Sequence, residues 1–165
     1  MIVVADTTPV NYLILIDAIG VLEPLYKAVV IPEMVFSELS QPGTPAEVRI
    51  WIENRPTWLD VAPDPPPLPE LEALDPGERA AIALALALPA SRLLIDDAAG
   101  RIEAERRRLK VTGTLGVLAA AHRSRLLDFD SAVERLLKTR FYVSPRTVAA
   151  ARRLLGPNEG PVPGQ

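Results

Sequence analysis

Short apolar runs alternate with helical segments along this chain, and most runs end at a polar or turn residue. Strands are predicted at residues 2–5, 28–31, 58–61, 92–95 and 110–111. Continuous apolar strands separated by helices are typical of a parallel sheet that is covered on both faces. We therefore predict an α/β fold, a three-layer α/β/α sandwich around a central, mainly parallel sheet with right-handed crossovers.

Proline and capping residues mark the helix starts in the first half of the chain. Pro9 and Pro32 are expected to open the helices that follow the first two strands. A third helix is predicted with Thr44 as its N-cap, Pro45 at its first position and Glu47 in the capping-box position. The first half is therefore predicted to contain two strand–helix units followed by a further helix.

The second half begins after a proline-dominated stretch at residues 63–69, which is predicted to be an extended connection. Asp75 and Glu78 have the spacing of a capping box and open a largely buried helix that extends to Leu88. Further helices are predicted at residues 97–108, from Thr114 onward, and at residues 131–138 and 145–155. Residues 1–155 are expected to form a single domain, and residues 156–165 a flexible tail rich in Pro and Gly.

The composition excludes several classes of function. A chain of 165 residues that is 48% hydrophobic can close one substantial core. The absence of cysteine excludes disulfides and thiolate metal sites, and the single histidine, His122, excludes a histidine-rich zinc site. With no signal-like N-terminus and no apolar run of membrane length, we expect a cytoplasmic protein without a membrane partner. The net charge of −3 does not decide for or against nucleic acid.

Four acidic residues fall just after predicted strands or on the first turns that follow them: Asp6, Glu38, Glu78 and Asp97. In a parallel sheet these positions share the carboxyl edge, where ligands bind. Like charges that are crowded together raise one another's pKa unless a cation offsets them, and a divalent ion with oxygen ligands is the usual offset. The pattern therefore suggests a magnesium site.

Each acid also has a structural interpretation. Asp6 suits a helix start, Glu38 a solvated helix face and Glu78 a capping box. Of the adjacent pair, one residue can cap the next helix while the other faces a ligand, and we favour Asp97 as the ligand and Asp96 as its support. Neutral oxygen groups near the same edge suit contacts that orient ligands or hold a water, and are equally ordinary as helix caps: Thr8, Asn11, Thr112 and Thr114.

Five stretches carry a resemblance to a known family: IVVADTTPVNYLI, IPEMVFSEL, LDPGERAAIALAL, LLIDDAAGR and VTGTLGVL. In this order they resemble the motifs of the PIN-domain family, in particular its VapC-like toxin ribonucleases and their prokaryotic relatives, over roughly residues 1–145. The resemblance implies that Asp6, Glu38, Glu78 and Asp97 form a catalytic site for Mg²⁺ or Mn²⁺. Many relatives carry a further acid where this chain has Thr112, Gly113 and Thr114, so the number of ions, one or two, stays open, and Asp96 is a candidate additional ligand.

The resemblance also implies an activity, the hydrolysis of RNA phosphodiester bonds by a metal-activated water. Asp6 and Asp97 would bind the metal directly, Glu78 would bind it or orient the water, and Glu38 would complete the shell. The chain would then be a metal-dependent endoribonuclease and the toxin of a type II toxin–antitoxin pair. Two alternatives stay open: a non-catalytic PIN-like scaffold that binds RNA or protein, and an RNA-processing nuclease without an antitoxin.

Partners follow from the same resemblance. An antitoxin would lay a helix or strand into the acidic groove with an arginine against the carboxylates, and a homodimer is expected, with the apolar helices at residues 13–25 as a possible interface, although most of those residues suit the core. A basic cluster is a candidate RNA contact, and its alternative is a solvated helix face paired with Glu103 and Glu105. The cluster comprises Arg101, Arg106, Arg107, Arg108 and Lys110.

Overall fold

A five-stranded parallel sheet forms the centre of the molecule. The computed structural model describes residues 1–156. The strand order is β3-β2-β1-β4-β5, and all four neighbouring pairs run parallel. The strands are β1 (Val3–Ala5), β2 (Val29–Pro32), β3 (Leu59–Ala62), β4 (Arg92–Leu94) and β5 (Val111–Thr112). All five predicted strands are present, each within one residue of its predicted start, and the prediction of a mainly parallel sheet is confirmed.

Nine α-helices connect and cover the strands within residues 1–156. They are α1 (Thr7–Leu15), α2 (Leu22–Tyr26), α3 (Glu33–Leu39), α4 (Ala46–Glu53), α5 (Pro76–Ala87), α6 (Ala98–Arg106), α7 (Thr114–Arg123), α8 (Phe129–Leu137) and α9 (Pro145–Arg153). Single 3₁₀ turns occupy Ile19–Val21 and Pro69–Leu71. The proline-rich stretch before the second turn has no regular structure, as predicted.

Three predicted helix starts were wrong in detail. The helix predicted from Thr44 has Pro45 as its N-cap, because the Thr44 hydroxyl instead donates to the Glu38 carbonyl at 2.9 Å. Thr114 lies inside α7, one residue after the true N-cap. The helix α8 starts two residues earlier than predicted, because Asp128 caps it by accepting a hydrogen bond from the backbone N–H of Ser131.

The sheet packs on both faces, which gives the three-layer α/β/α sandwich that the sequence predicted. Successive strand residues point to opposite faces, so Val3 and Ala5 enter the larger core while Val4 enters the smaller one. Helices α1, α3, α4, α7 and α8 contribute to the larger core, and α5 supplies the largest share of the smaller core. Because both faces are covered, the carboxyl edge of the sheet is the natural place for a site.

The apolar helices at residues 13–25 contribute their largest side chains to the core. Leu13 and Leu22 are fully buried, so these two side chains are not available to a second subunit. Within residues 1–156 no single helix is long and apolar enough to cross a membrane, although Thr7–Leu15 and Ile19–Tyr26 reach that length and composition jointly, with a bend of 119° between them. The predicted tail at 156–165 lies outside the described residues except for Gly156.

Candidate active site

The predicted acidic residues converge at the carboxyl edge of the two central strands. Ala5 of β1 pairs with Leu94 of β4, and the backbone N–H of Asp6 donates to the Leu94 carbonyl at 2.9 Å. Asp6 and the Asp96–Asp97 pair therefore leave the sheet side by side. Helices α3 and α5 contact each other, and α5 also packs on β1. They bring Glu38 and Glu78 to the same edge.

Asp6 is the most buried charged residue of the site. Its side chain is 3% exposed, and its Oδ1 atom is buried without a hydrogen-bond partner. Although Asp6 stands at the N-cap position of α1, its side chain makes no capping hydrogen bond. Burial raises its pKa to about 7, the negative charges of Glu78 and Glu38 add to that rise, and the N–H of Thr7 opposes it. The structural interpretation of Asp6 as a helix cap therefore does not hold.

Glu38 is held between the N-termini of two helices. One carboxylate oxygen accepts the hydroxyl hydrogen of Thr7 at the start of α1, and the other accepts the backbone N–H of Gly77 at the start of α5, at 3.0 Å. A Cβ atom on Gly77 would overlap this carboxylate. Reasoning from the sequence missed both Thr7 and Gly77. A glycine on the first turn of a strongly helical segment was the available signal, since glycine is a poor helix former.

Glu78 fills the capping role that the sequence offered, and its role as a metal ligand stays a prediction. The predicted capping box is present, and the backbone N–H of Asp75 donates to Glu78 Oε2 at a long 3.3 Å. Burial raises the pKa of Glu78 to about 7, the charges of Asp97, Asp75 and Glu38 raise it further, and the Asp75 N–H opposes the rise. The side chain thus caps α5 while lying in the field of three other carboxylates.

Asp96 and Asp97, which follow β4, each accept hydrogen bonds from the start of a different helix. Asp97 is exposed and caps α6, accepting the backbone N–H of Gly100 at 2.9 Å. Asp96 accepts the backbone N–H and the hydroxyl of Thr114, at 2.8 and 2.7 Å, and so anchors the start of α7. Burial raises the pKa of Asp96, while Thr114 and Arg101 oppose the rise. The role of Asp97 as a ligand and that of Asp96 as its support stay predictions.

The donor set of the cluster suits a hard divalent cation, because all of its side-chain donors are oxygens. The unpartnered Oδ1 of Asp6 is an atom that such an ion would satisfy. As the side chains stand, no three acidic or histidine residues between positions 1 and 156 are close enough together to hold one ion. The residues therefore fit a metal in their chemistry, and binding would require some of these side chains to move closer together.

The neutral residues predicted beside the acids are partly committed to other contacts. Thr112 accepts a hydrogen bond from Arg92 at 2.5 Å, and Thr114 is bound to Asp96. Thr8 lines the open space next to the carboxylates, and Asn11 is half-buried one turn further along α1. Of the four, Thr8 and Thr112 line the cleft.

A cleft of about 1450 Å³ extends from the carboxylates along α6 and α7 to the segment that leads into α9. Of the five residues predicted to contact RNA, Arg101 lines this cleft. Arg106 and Arg107 each form an ion pair with Glu103 at 2.7 Å, as the alternative interpretation of a paired helix face expected. Arg92 and Arg123, which the sequence did not single out, also line the cleft.

Comparison with known proteins decides the family. A family model described as DUF3368: PIN domain matches residues 2–157, almost the whole chain. The chain belongs to the PIN-domain family. A PilT N-terminus domain protein from the archaeon Sulfolobus solfataricus P2 has a similar structure, with a TM-score of 0.50, 16% sequence identity, and coverage of 87% of this chain and 100% of that one. At this identity the likeness supports the fold alone. No curated protein matches this PIN-domain chain.

PIN domains are generally nucleases and typically use divalent metals. The resemblance that the sequence motifs carried is thus confirmed at the level of the family and the fold. The carboxylate cluster lies where a parallel α/β sheet places its ligands, which is consistent with a nuclease fold.

Proposed function

We propose that this PIN-domain protein is a metal-dependent endoribonuclease that hydrolyses RNA phosphodiester bonds with Mg²⁺ or Mn²⁺. The observation that carries the proposal is the state of Asp6, a nearly fully buried carboxylate with an unpartnered oxygen and a pKa raised to about 7. Glu78 and Asp96, whose pKa values are also raised, line the cleft beside it, and strongly perturbed acids in a cleft are typical of functional sites.

A structural role does not account for this arrangement. A buried carboxylate without a full set of hydrogen bonds destabilises a fold, and neighbouring negative charges increase that cost. Asp6 lies in the field of Glu78, Glu38 and Asp96 and caps no helix. A cation would remove the cost, and a bound divalent ion supplies a more acidic water and offsets negative charge at a phosphate.

The other residues have separable roles in this proposal. Asp6, Glu78 and Asp97 would hold the ion, with Asp96 as a candidate further ligand. Glu38 positions the starts of α1 and α5 through Thr7 and Gly77, and it completes the shell. Glu78, whose pKa is about 7, would bind the ion or accept a proton from the attacking water.

Cleavage of a mixed, structured RNA pool by the purified chain tests the proposal. The assay uses Mg²⁺ or Mn²⁺, with EDTA and an Asp6→Asn variant as negative controls, and sequencing of new ends. Asp17→Asn is the matched control, because it makes the same change at an exposed residue after the far end of α1. Specific cuts should disappear with EDTA and with Asp6→Asn and persist with Asp17→Asn. Cuts that persist in Asp6→Asn would contradict the proposal.

A non-catalytic scaffold is the second candidate, and the hydrogen bonds of the other acids favour it. Glu38, Glu78, Asp96 and Asp97 all accept hydrogen bonds that hold helix starts. In that case the cluster would order the fold without binding metal. Calorimetric titration with Mn²⁺ separates the two candidates: a folded protein that binds no metal would favour the scaffold.

We further propose that the nuclease acts as the toxin of a type II toxin–antitoxin pair, on the strength of the sequence motifs. Asp75, Glu78 and Asp97 line the cleft, and an arginine of an antitoxin would find charge-assisted hydrogen bonds there. Induced expression in a bacterial host should arrest growth, and Asp6→Asn should relieve the arrest. Growth that is unaffected by an active nuclease would favour an RNA-processing role without an antitoxin.

A further inference from the structure

The far end of the cleft carries aromatic and basic side chains that the carboxylate chemistry does not use. Tyr142 lies in the segment between α8 and α9 and is 90% exposed, although it lines the same cleft as Glu78 and Asp97. Tyr12 and Phe141 also line this end. We call these three residues the aromatic wall.

The segment that carries Tyr142 is anchored on both sides. Phe141 packs edge-on against Tyr12, with ring centroids 5.0 Å apart and an interplanar angle of 73°. The Thr139 hydroxyl donates to the Leu136 carbonyl at 2.6 Å and accepts the N–H of Phe141 at 3.1 Å. On the other side Ser144 caps α9. The Tyr142 ring is thus presented to the cleft from a fixed backbone, and stacking on it would order few additional bonds.

Three arginines line the same cleft, and one of them, Arg101, lies close enough to Asp96 to lower the pKa of that carboxyl. Arg92, Arg101 and Arg123 form no ion pair with any residue between positions 1 and 156. Each instead donates to a neutral oxygen: Arg92 to the Thr112 hydroxyl at 2.5 Å, Arg101 to the Ile95 carbonyl at 3.4 Å and Arg123 to the Leu154 carbonyl at 2.6 Å. A guanidinium group that donates to one neutral oxygen retains further N–H donors and its positive charge, and both can bind a phosphate.

We infer that the aromatic wall is a substrate subsite in which Tyr142 stacks an unpaired base, while Arg92, Arg101 and Arg123 contact the adjoining phosphates. Proteins that bind single-stranded nucleic acids combine exposed aromatic rings with a row of positive charges in this way. A base within a duplex is already stacked and paired, so it has no free face for the ring. The ligand is therefore an unpaired nucleotide within a sugar–phosphate strand. The inference rests on the proposed function for its orientation, with the cleaved bond at the carboxylate end.

Binding measured in EDTA tests the subsite independently of cleavage. The probes are fluorescently labelled oligo(A), its deoxyribose counterpart, and a strand of the same length with abasic positions. Tyr142→Ala should bind oligo(A) about 5- to 150-fold more weakly than the wild type. Tyr142→Phe, which keeps the ring, should bind as the wild type does. The abasic strand should bind equally to the wild type and to Tyr142→Ala, because it offers no base to stack. The deoxyribose strand separates an RNA-specific site from one for either nucleic acid.

The matched control is Ile50→Ala, which removes an exposed apolar side chain of α4 that lies outside the cleft, and it should leave binding unchanged. Equal binding of oligo(A) by Tyr142→Ala and the wild type, or no binding of oligo(A) by the wild type, would overturn the subsite. If the protein cleaves RNA but Tyr142→Ala binds oligo(A) as the wild type does, the subsite is contradicted and the nuclease is supported. If oligo(A) binding depends on Tyr142 but no RNA is cleaved, the subsite is supported and the nuclease is contradicted.

Discussion

The two ends of the cleft handle charge in opposite ways. At the carboxylate end, Asp6 is buried, Glu78 and Asp96 are half-buried, and the pKa values of all three are raised. At the other end, Arg92 and Arg123 keep their charge against neutral acceptors. In the proposed function a cation would offset the negative charge of the first end, and in the inferred subsite phosphates would contact the arginines of the second. A phosphate strand with a divalent ion at one end would satisfy both.

The largest expected effect is at Asp6 in the metal-free protein. Burial raises the pKa of Asp6 from 3.8 to about 7. At pH values between these two, Asp6 is therefore protonated in the folded state and ionised in the unfolded chain. The stability of the wild type should therefore fall as the pH rises from 3.8 to about 7. Asp6→Asn carries no such charge, so its stability relative to the wild type should grow across this range by up to about 4 kcal/mol. Denaturant unfolding in EDTA at several pH values measures this difference.

The addition of a divalent metal ion tests the uncompensated charge of Asp6 in a second way. Mg²⁺ or Mn²⁺ should raise the unfolding free energy of the wild type, because a ligand that binds only the folded state stabilises it. It should leave Asp6→Asn unchanged. Asp17→Asn, made at an exposed position, should follow the wild type in both the pH series and the metal series. A pH-independent difference between Asp6→Asn and the wild type would show that the charge of Asp6 is already compensated.

A smaller effect is expected where Gly77 meets Glu38. Gly77→Ala would place a Cβ atom on the Glu38 carboxylate, so the side chain must move and lose the N–H of Gly77. The variant should lose about 2 kcal/mol of stability and most of its cleavage, because the starts of α1 and α5 would separate. Gly20→Ala is the control, since a Cβ atom there meets nothing within 4 Å. Equal stability of the two variants would mean that Glu38 is free to relocate.

The succession of strands and helices, the parallel sheet and most acidic residues of the carboxylate end could be predicted from the sequence. Apolar runs ending at Asp6 and at Asp96 follow from local pattern, and a parallel sheet brings such strand ends together. The capping box of Asp75 and Glu78 was also predictable, because it depends on residues three apart. These features are local or follow from topology.

The contacts between distant segments were not predictable. The hydrogen bond of Thr7 to Glu38 joins residues 31 apart, and that of Gly77 to Glu38 joins residues 39 apart. The same holds for Thr114, which looked like a cap of its own helix and instead binds Asp96, 18 residues earlier. No periodicity encodes such pairings. Tyr142 was missed for a related reason, since its position in the cleft depends on how α9 packs against α7.

Thr114 supports the carboxylate end of the cleft, because it holds Asp96, which also lies in the field of Arg101. Thr114→Val removes the hydroxyl that donates to Asp96 Oδ2, while the backbone N–H stays. Leaving a buried carboxylate short of a hydrogen bond should cost about 1–3 kcal/mol. Thr114→Ser keeps the hydroxyl and should recover most of the loss. If Val and Ser variants unfold at the same denaturant concentration, the hydroxyl contributes no stability.

The smallest effect is expected from a single arginine of the cleft. Arg123→Gln should lower the slope of log affinity against log salt for oligo(A) by about 0.7, the value for one phosphate contact on a single strand, and weaken binding only modestly. Arg106→Gln makes the same change of charge outside the cleft, where Glu103 already pairs with Arg106, and should leave the slope unchanged. Equal changes of slope in both variants would mean that the strand responds to net charge. A change in Arg123→Gln alone would place a phosphate at the aromatic end, opposite the carboxylates.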